Sequence, residues 1–188
     1  MPPSATFAAR PGNLQRHISI GMLLLLVLLQ GCAHDRRTLG SMVDDSAVEL
    51  KATGILTTDP TYRDAHVNVT SVNGIVLLSG EAPTGEVRDS LLTAVRNIPS
   101  IRRIVNEVRI APPSTFSQRS RDAWITGKVK SRLIATHGLH AARVTVVTEN
   151  TSVFLMGLVS QQESELATNA ATRVSGIERV VKLFEYVD

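Results

Sequence analysis

Val67-Asn-Val-Thr-Ser-Val-Asn-Gly-Ile-Val-Leu-Leu-Ser-Gly80 recurs 77 positions later as Val144-Thr-Val-Val-Thr-Glu-Asn-Thr-Ser-Val-Phe-Leu-Met-Gly157. Val67 matches Val144, Asn73 matches Asn150, Leu78 matches Leu155 and Gly80 matches Gly157. Each copy reads as two alternating strands around a turn signal, strong in Asn73-Gly74 and weaker in Asn150-Thr151. The correspondence extends outward. Upstream, Asp45 meets Asp122, Val48 meets Ile125, Lys51 meets Lys128 and Leu56 meets Leu133 at the same spacing. After Gly80 the spacing falls to 76, where Ile101 meets Ile177, Arg103 meets Arg179 and Val105 meets Val181. The chain therefore carries two copies of one unit.

Each unit reads helix, strand, strand, helix, strand. The first helices are expected over Asp44–Leu56 and Asp122–Ala135, each with an aspartate near its start to cap it and to favour its positive end. Asp59-Pro60 and His137-Gly138 stop them. The strand pairs are Ala65–Ser71 with Ile75–Gly80, and Arg143–Thr148 with Ser152–Gly157. The second helices are Thr84–Asn97 and Gln161–Val174, and the last strands Ile101–Ile110 and Ile177–Val187. This is an α+β pattern in which two helices cover one face of a three-stranded mixed sheet. The reading divides the chain into domains at 44–111 and 121–188, joined by a Pro-rich, semi-rigid linker over 112–120. Units this small are marginal alone, so the two are expected to pack together.

The N-terminus is of another kind. Arg10, Arg16 and His17 precede the apolar run Ile18–Leu29, which is short for a membrane span and suits the core of a signal peptide, 1–31. The run ends in Leu29-Gln30-Gly31-Cys32, which resembles the bacterial lipobox, although Gln30 departs from the small residue often found there. That resemblance implies an acylated Cys32 at the head of a polar tether, 32–43. Two or three acyl chains anchor stably, since each buried methylene contributes about 0.8 kcal/mol. It also implies the periplasmic face of the outer membrane, because inner-membrane retention typically uses Asp where this chain has Ala33. Cys32 is the only cysteine, so no internal disulfide forms.

Net charge is +3, but without Arg10 and Arg16 there remain 18 basic and 17 acidic side chains. That balance argues against nucleic acid as a partner. Cations are concentrated locally instead. On the helix through Arg121–Ile134, Ile125, Val129 and Leu133 form one core stripe. Trp124, the single tryptophan, points roughly 140° away from it, with Gly127, Ser131 and Ile134 on the same outward side. Lys128, Lys130 and Arg132 lie between the two apolar faces. The first repeat has Ala47 for Trp124, Thr53 for Lys130, Ile55 for Arg132 and Thr57 for Ile134. The shared fold therefore does not require these residues. They fit an anionic membrane surface, where each cation contributes about 1 kcal/mol. The competing reading has Trp124 packed between the domains or against Phe116.

No catalytic chemistry is legible. His137 and His140 form a loop pair without a third ligand and read as solvated; no metal site or cofactor is expected. Ser79-Gly-Glu lacks the frame of a nucleophile elbow, Asp44-Asp45 reads as helix capping, and no phosphate-cradling glycine loop occurs. Gly80 and Gly157 are expected to serve the backbone at strand ends.

A paired unit with Val-x-Val, then Asn-Gly-x-Val-x-Leu-x-Gly, then a Gly-Ile step such as Arg173-Val-Ser-Gly-Ile177, resembles the BON domain. Two such domains behind a lipobox resemble the dual-BON outer-membrane lipoproteins of Gram-negative bacteria, the DolP type. The resemblance spans about Val43 to Val187 and is sharpest over Trp124-Ile-Thr-Gly-Lys-Val-Lys-Ser131. It implies a non-enzymatic lipoprotein that binds anionic phospholipid through the first helix of its second domain and supports outer-membrane integrity. Carried over by position, the contacts are Trp124, Lys128 and Ile134, with Lys130 and Arg132 beside them. It implies alternatively a scaffold or accessory factor for outer-membrane protein assembly.

Overall fold

The computed structural model describes residues 37–187. Cys32, the signal peptide and most of the tether lie outside the described residues. The first unit comprises α1 (Leu39–Thr58), β1 (His66–Val72), β2 (Ile75–Ala82), α2 (Gly85–Arg96) and β3 (Arg103–Ile110). The second comprises α3 (Phe116–Ile134), β4 (Thr145–Glu149), β5 (Ser152–Val159), α4 (Gln161–Thr172) and β6 (Arg179–Tyr186). Single 3₁₀ turns at Pro60–Tyr62 and Ala141–Arg143 follow α1 and α3. In each sheet the middle strand pairs antiparallel with the hairpin strand and parallel with the last, giving the orders β1-β2-β3 and β4-β5-β6.

The middle strands explain how the two units associate. Along β2, Val76 and Leu78 point into a core with Val48 and Ala52 of α1 and Leu91 and Val95 of α2. Ile75 and Leu77 point the other way and meet Phe154, Met156 and Leu183 of the second unit. Along β5, Val153 and Leu155 join Ile125, Val129 and Leu133 of α3. The sheets thus pack face to face, with each helix pair on an outer layer. A strand covered on both faces is apolar at every position, so Ile75–Leu78 and Val153–Met156 are continuous apolar runs rather than the alternating strands expected. The rim of the contact is polar. Asn68 donates to Glu149 at 2.9 Å, Arg102 forks onto Glu185 at 2.8 and 3.0 Å, and Arg179 donates to Glu107 at 2.7 Å.

The first helices begin earlier than expected. Their N-caps are Thr38, whose hydroxyl accepts from the Ser41 N–H, and Thr115, which forms a reciprocal capping box with Gln118. Helix therefore occupies the end of the expected tether and the second half of the expected linker. Leu39 and Phe116 open these helices 79% exposed, so no core periodicity marks their first turns.

Asp45 and Asp122 are consequently not caps. Each is the seventh residue of its helix, buried, and turned onto the hairpin of its own sheet. Asp45 accepts from the backbone N–H groups of Asn73 and Gly74 at 2.7 and 2.8 Å and from the Ser71 hydroxyl at 2.6 Å. Asp122 accepts from the N–H groups of Asn150 and Thr151 at 2.8 and 2.9 Å. Both turns have positive φ at both central residues, 51° and 73° in the first and 47° and 61° in the second. Such a turn aims two adjacent N–H groups outward, and one carboxylate satisfies both. Asn73 and Asn150 then reach across to Glu185 and Glu81 of the opposite unit.

Gly80 and Gly157 lie within β2 and β5 rather than at their ends. A Cβ at either would sit 2.0 Å from a carbonyl oxygen of the neighbouring segment, that of His66 or Arg143. Only glycine permits that approach.

Candidate membrane-contact surface

α3 is built outward from its buried stripe. Ile125, Val129 and Leu133 are at most 1% exposed against the second sheet. The Thr126 hydroxyl meets that of Thr148 at 2.7 Å and fixes the helix rotation next to the Asp122 staple. With that face locked, the remaining side chains must face away. Trp124 is 56% exposed and Ile134 75% exposed. Trp124 takes no part in the apolar contact between the sheets, nor does it pack on a linker, because Phe116 is itself helical and exposed.

Lys128 stands one turn after Trp124 and holds its Nζ 3.7 Å from the ring centroid. This cation–π contact turns one face of the indole toward a positive charge. Lys130 and Arg132 are exposed, and none of the three cations has a carboxylate partner among the described residues. An apolar groove lined by Leu133, Ile134, Ala141, Ala142 and Val144 runs along one flank of the helix, with Lys130 at its edge. The five residues singled out by sequence are therefore all exposed on α3. The counterpart surface of α1 is different. Leu39, Val43 and Leu50 are 67–79% exposed and fall on one side, with no charged residue among them.

The histidine pair is not simply solvated. Nδ1 of His140 lies 3.2 Å from Oε1 of Glu163, which also accepts from Arg143 at 2.6 Å. Burial pushes the Glu163 carboxyl up. The Ser160 backbone N–H, Arg143 and His140 outweigh that effect and hold it at about 2. Glu149, between the sheets, moves upward because burial disfavours its charge and Glu81 and Asp122 lie near it. Among the described residues no group of three His, Cys, Asp or Glu side chains is placed to hold a metal, and no helix is long and apolar enough to cross a membrane.

A BON-domain family model matches residues 44–112 and 121–188, and the chain belongs to the BON-domain family, with two tandem copies. It is a dual-BON protein of the DolP type. It is 33% identical over 177 residues to Outer membrane lipoprotein DolP of Haemophilus influenzae, covering 86% of this chain and 92% of that one. It is 36% identical over 154 residues to the 21 kDa hemolysin of Actinobacillus pleuropneumoniae, covering 81% and 79%. A more distant relative is Osmotically-inducible protein Y of Escherichia coli, 24% identical over 144 residues and covering 75% and 72%.

Proposed function

We propose that this protein is an outer-membrane lipoprotein, anchored through acylated Cys32 on the periplasmic face, whose second BON domain holds anionic phospholipid against α3. The exposure of Trp124 and Ile134 beside three cations that have no carboxylate partner among the described residues carries the reading; the twin helix has Ala47 and Thr57 for the two apolar residues and keeps only Lys51 of the cations. Three cations contribute about 1 kcal/mol each near an anionic surface. Insertion of the indole and the Ile134 side chain adds burial on the order of 25 cal/mol per Å². Free in solution such a contact is weak. On an anchored chain it is effectively intramolecular, so it selects where and how the protein sits on the membrane. The name of the Haemophilus influenzae relative, Outer membrane lipoprotein DolP, supports the outer-membrane part of this reading.

Vesicle flotation tests the lipid contact. Residues 35–188 should float with phosphatidylglycerol vesicles, less so as salt rises, and Trp124→Glu should stay at the bottom of the gradient. Equal flotation of the two proteins, or of neither, rejects α3 as the lipid contact. A palmitate analogue should label the full chain but not Cys32→Ala; label on both would dispose of the anchor. The exposed aliphatic side of α1 favours a second, compatible role, docking of a protein partner such as an outer-membrane assembly factor. A cross-linking residue at Val43 that captures no envelope protein in cells would remove that role.

A further inference from the structure

A cleft of about 580 Å³ lies between the last turns of α3 and the turn that follows α4. Lys128 and Arg132 enter it from α3 and Arg173 from the C-cap of α4. Ser131, Thr136 and Ser175 add hydroxyl groups around the rim. No acidic side chain lines the cleft, and none of the three cations is in an ion pair among the described residues. Arg173 escaped the sequence reading because it is far from α3 in the chain. The repeat comparison could have found it.

A cation in the last turn of a helix also answers the partial negative charge there, and Arg96 does so at the end of α2. That accounts for one cation per helix end, not for three converging on one concavity. The first domain is an internal control. Its corresponding residues are Lys51, Ile55 and Asn97 for the three cations, with Asp59 for Thr136 and Pro99 for Ser175. These positions hold one cation and one acid, and Arg96 precedes Asn97 at the end of α2. The cationic cleft is thus an addition of the second domain. Three unpaired cations in a concave site concentrate positive potential, and two guanidinium groups suit the oxygens of a phosphate in particular.

We infer that this cleft receives the phosphate of an anionic glycerophospholipid, and so supplies the headgroup half of the α3 contact; the inference rests on the lipid reading above. Lys128 links the halves, since it lines the cleft while its Nζ lies over the Trp124 ring. The apolar groove beside Ile134, on the other flank of α3, faces the acyl region. A lipid is favoured over a free anion because a free anion has no use for Trp124 and Ile134 beside the site.

The test uses residues 35–188, which contain both cores, with phosphatidylglycerol vesicles in a phosphatidylcholine background. Arg132→Gln with Arg173→Gln should weaken vesicle binding about tenfold or more and flatten its salt dependence. Ser175→Glu, which leaves both helix-end arginines in place, should do the same with its melting temperature unchanged; it decides the matter if the double variant does not fold. In amide NMR, dihexanoyl-phosphatidylglycerol should shift 131–136 and 173–176, and equimolar inorganic phosphate should not. If wild type binds vesicles and both variants bind equally well, the cleft assignment is overturned while the α3 contact stands. If wild type ignores the vesicles, both readings fall. Equal shifts with inorganic phosphate would overturn the lipid assignment in favour of a free anion.

Discussion

Replacing Asp122 by alanine separates two roles for this side chain. A helix cap would affect the first turn of α3, at a cost of about 1 kcal/mol. A staple between α3 and the β4–β5 turn has larger consequences. Asp122 is 5% exposed and accepts from two backbone N–H groups, at 2.8 and 2.9 Å. Hydrogen bonds to a charged group contribute roughly 1.5–3 kcal/mol each, and a stranded buried donor costs roughly 1–3 kcal/mol. The donors are only partly buried, and removing the charge relieves its repulsion of Glu149. The net loss is therefore about 2–4 kcal/mol. Urea unfolding of Asp122→Ala measures it, and hydrogen exchange locates it. Protection should fall at the Asn150 and Thr151 amides while Arg119 and Ser120, in the capped first turns, keep theirs. A loss below about 1 kcal/mol with unchanged exchange at Asn150 and Thr151 would refute the staple.

Two further outcomes follow from the second domain. Thr151 is β-branched yet adopts φ of 61°, where the first repeat has Gly74; relief of strain should outweigh the added freedom of the unfolded chain, so Thr151→Gly should stabilise by about 0.5–1 kcal/mol. A melting temperature that stays level or falls would contradict this. The Glu163 carboxyl is held at about 2 in the fold, below its unfolded value near 4.3, so its stabilisation is present above that value and is lost as pH falls toward about 2. The full linkage amounts to about 3 kcal/mol, reduced to about 1–2 by solvent reaching the half-exposed His140. Glu163→Gln should lower stability by that amount at pH 7 and leave it nearly unchanged at pH 2; a difference that persists at pH 2 would show that the loss is not electrostatic.

What the sequence made legible follows from which constraints are local. The αββαβ order could be read because hairpin turn, apolar runs and glycines recur together in both copies, and chance does not repeat a pattern across three kinds of signal. The outward side of α3 could be read because Ile125, Val129 and Leu133 fix its rotation, leaving Trp124 and Ile134 one direction to point. The start of α3 lacks core periodicity because Phe116 is exposed, and only the capping pair Thr115 and Gln118 marks it. Asp122 resembles a cap for a related reason: an aspartate near a helix start satisfies local rules, while its actual donors lie 28 and 29 residues away. The same distance hid Arg173. Its role depends on α4 ending beside α3, a tertiary relation that no spacing along one helix encodes. Internal duplication supplies part of that relation. Residues common to both copies, such as Asp45 with Asp122 and Gly80 with Gly157, answer to the fold. Cations present in one copy only, Arg132 and Arg173 against Ile55 and Asn97, are free of that demand. A function confined to the second domain is therefore to be sought where the two copies differ, and those differences converge on the two flanks of α3.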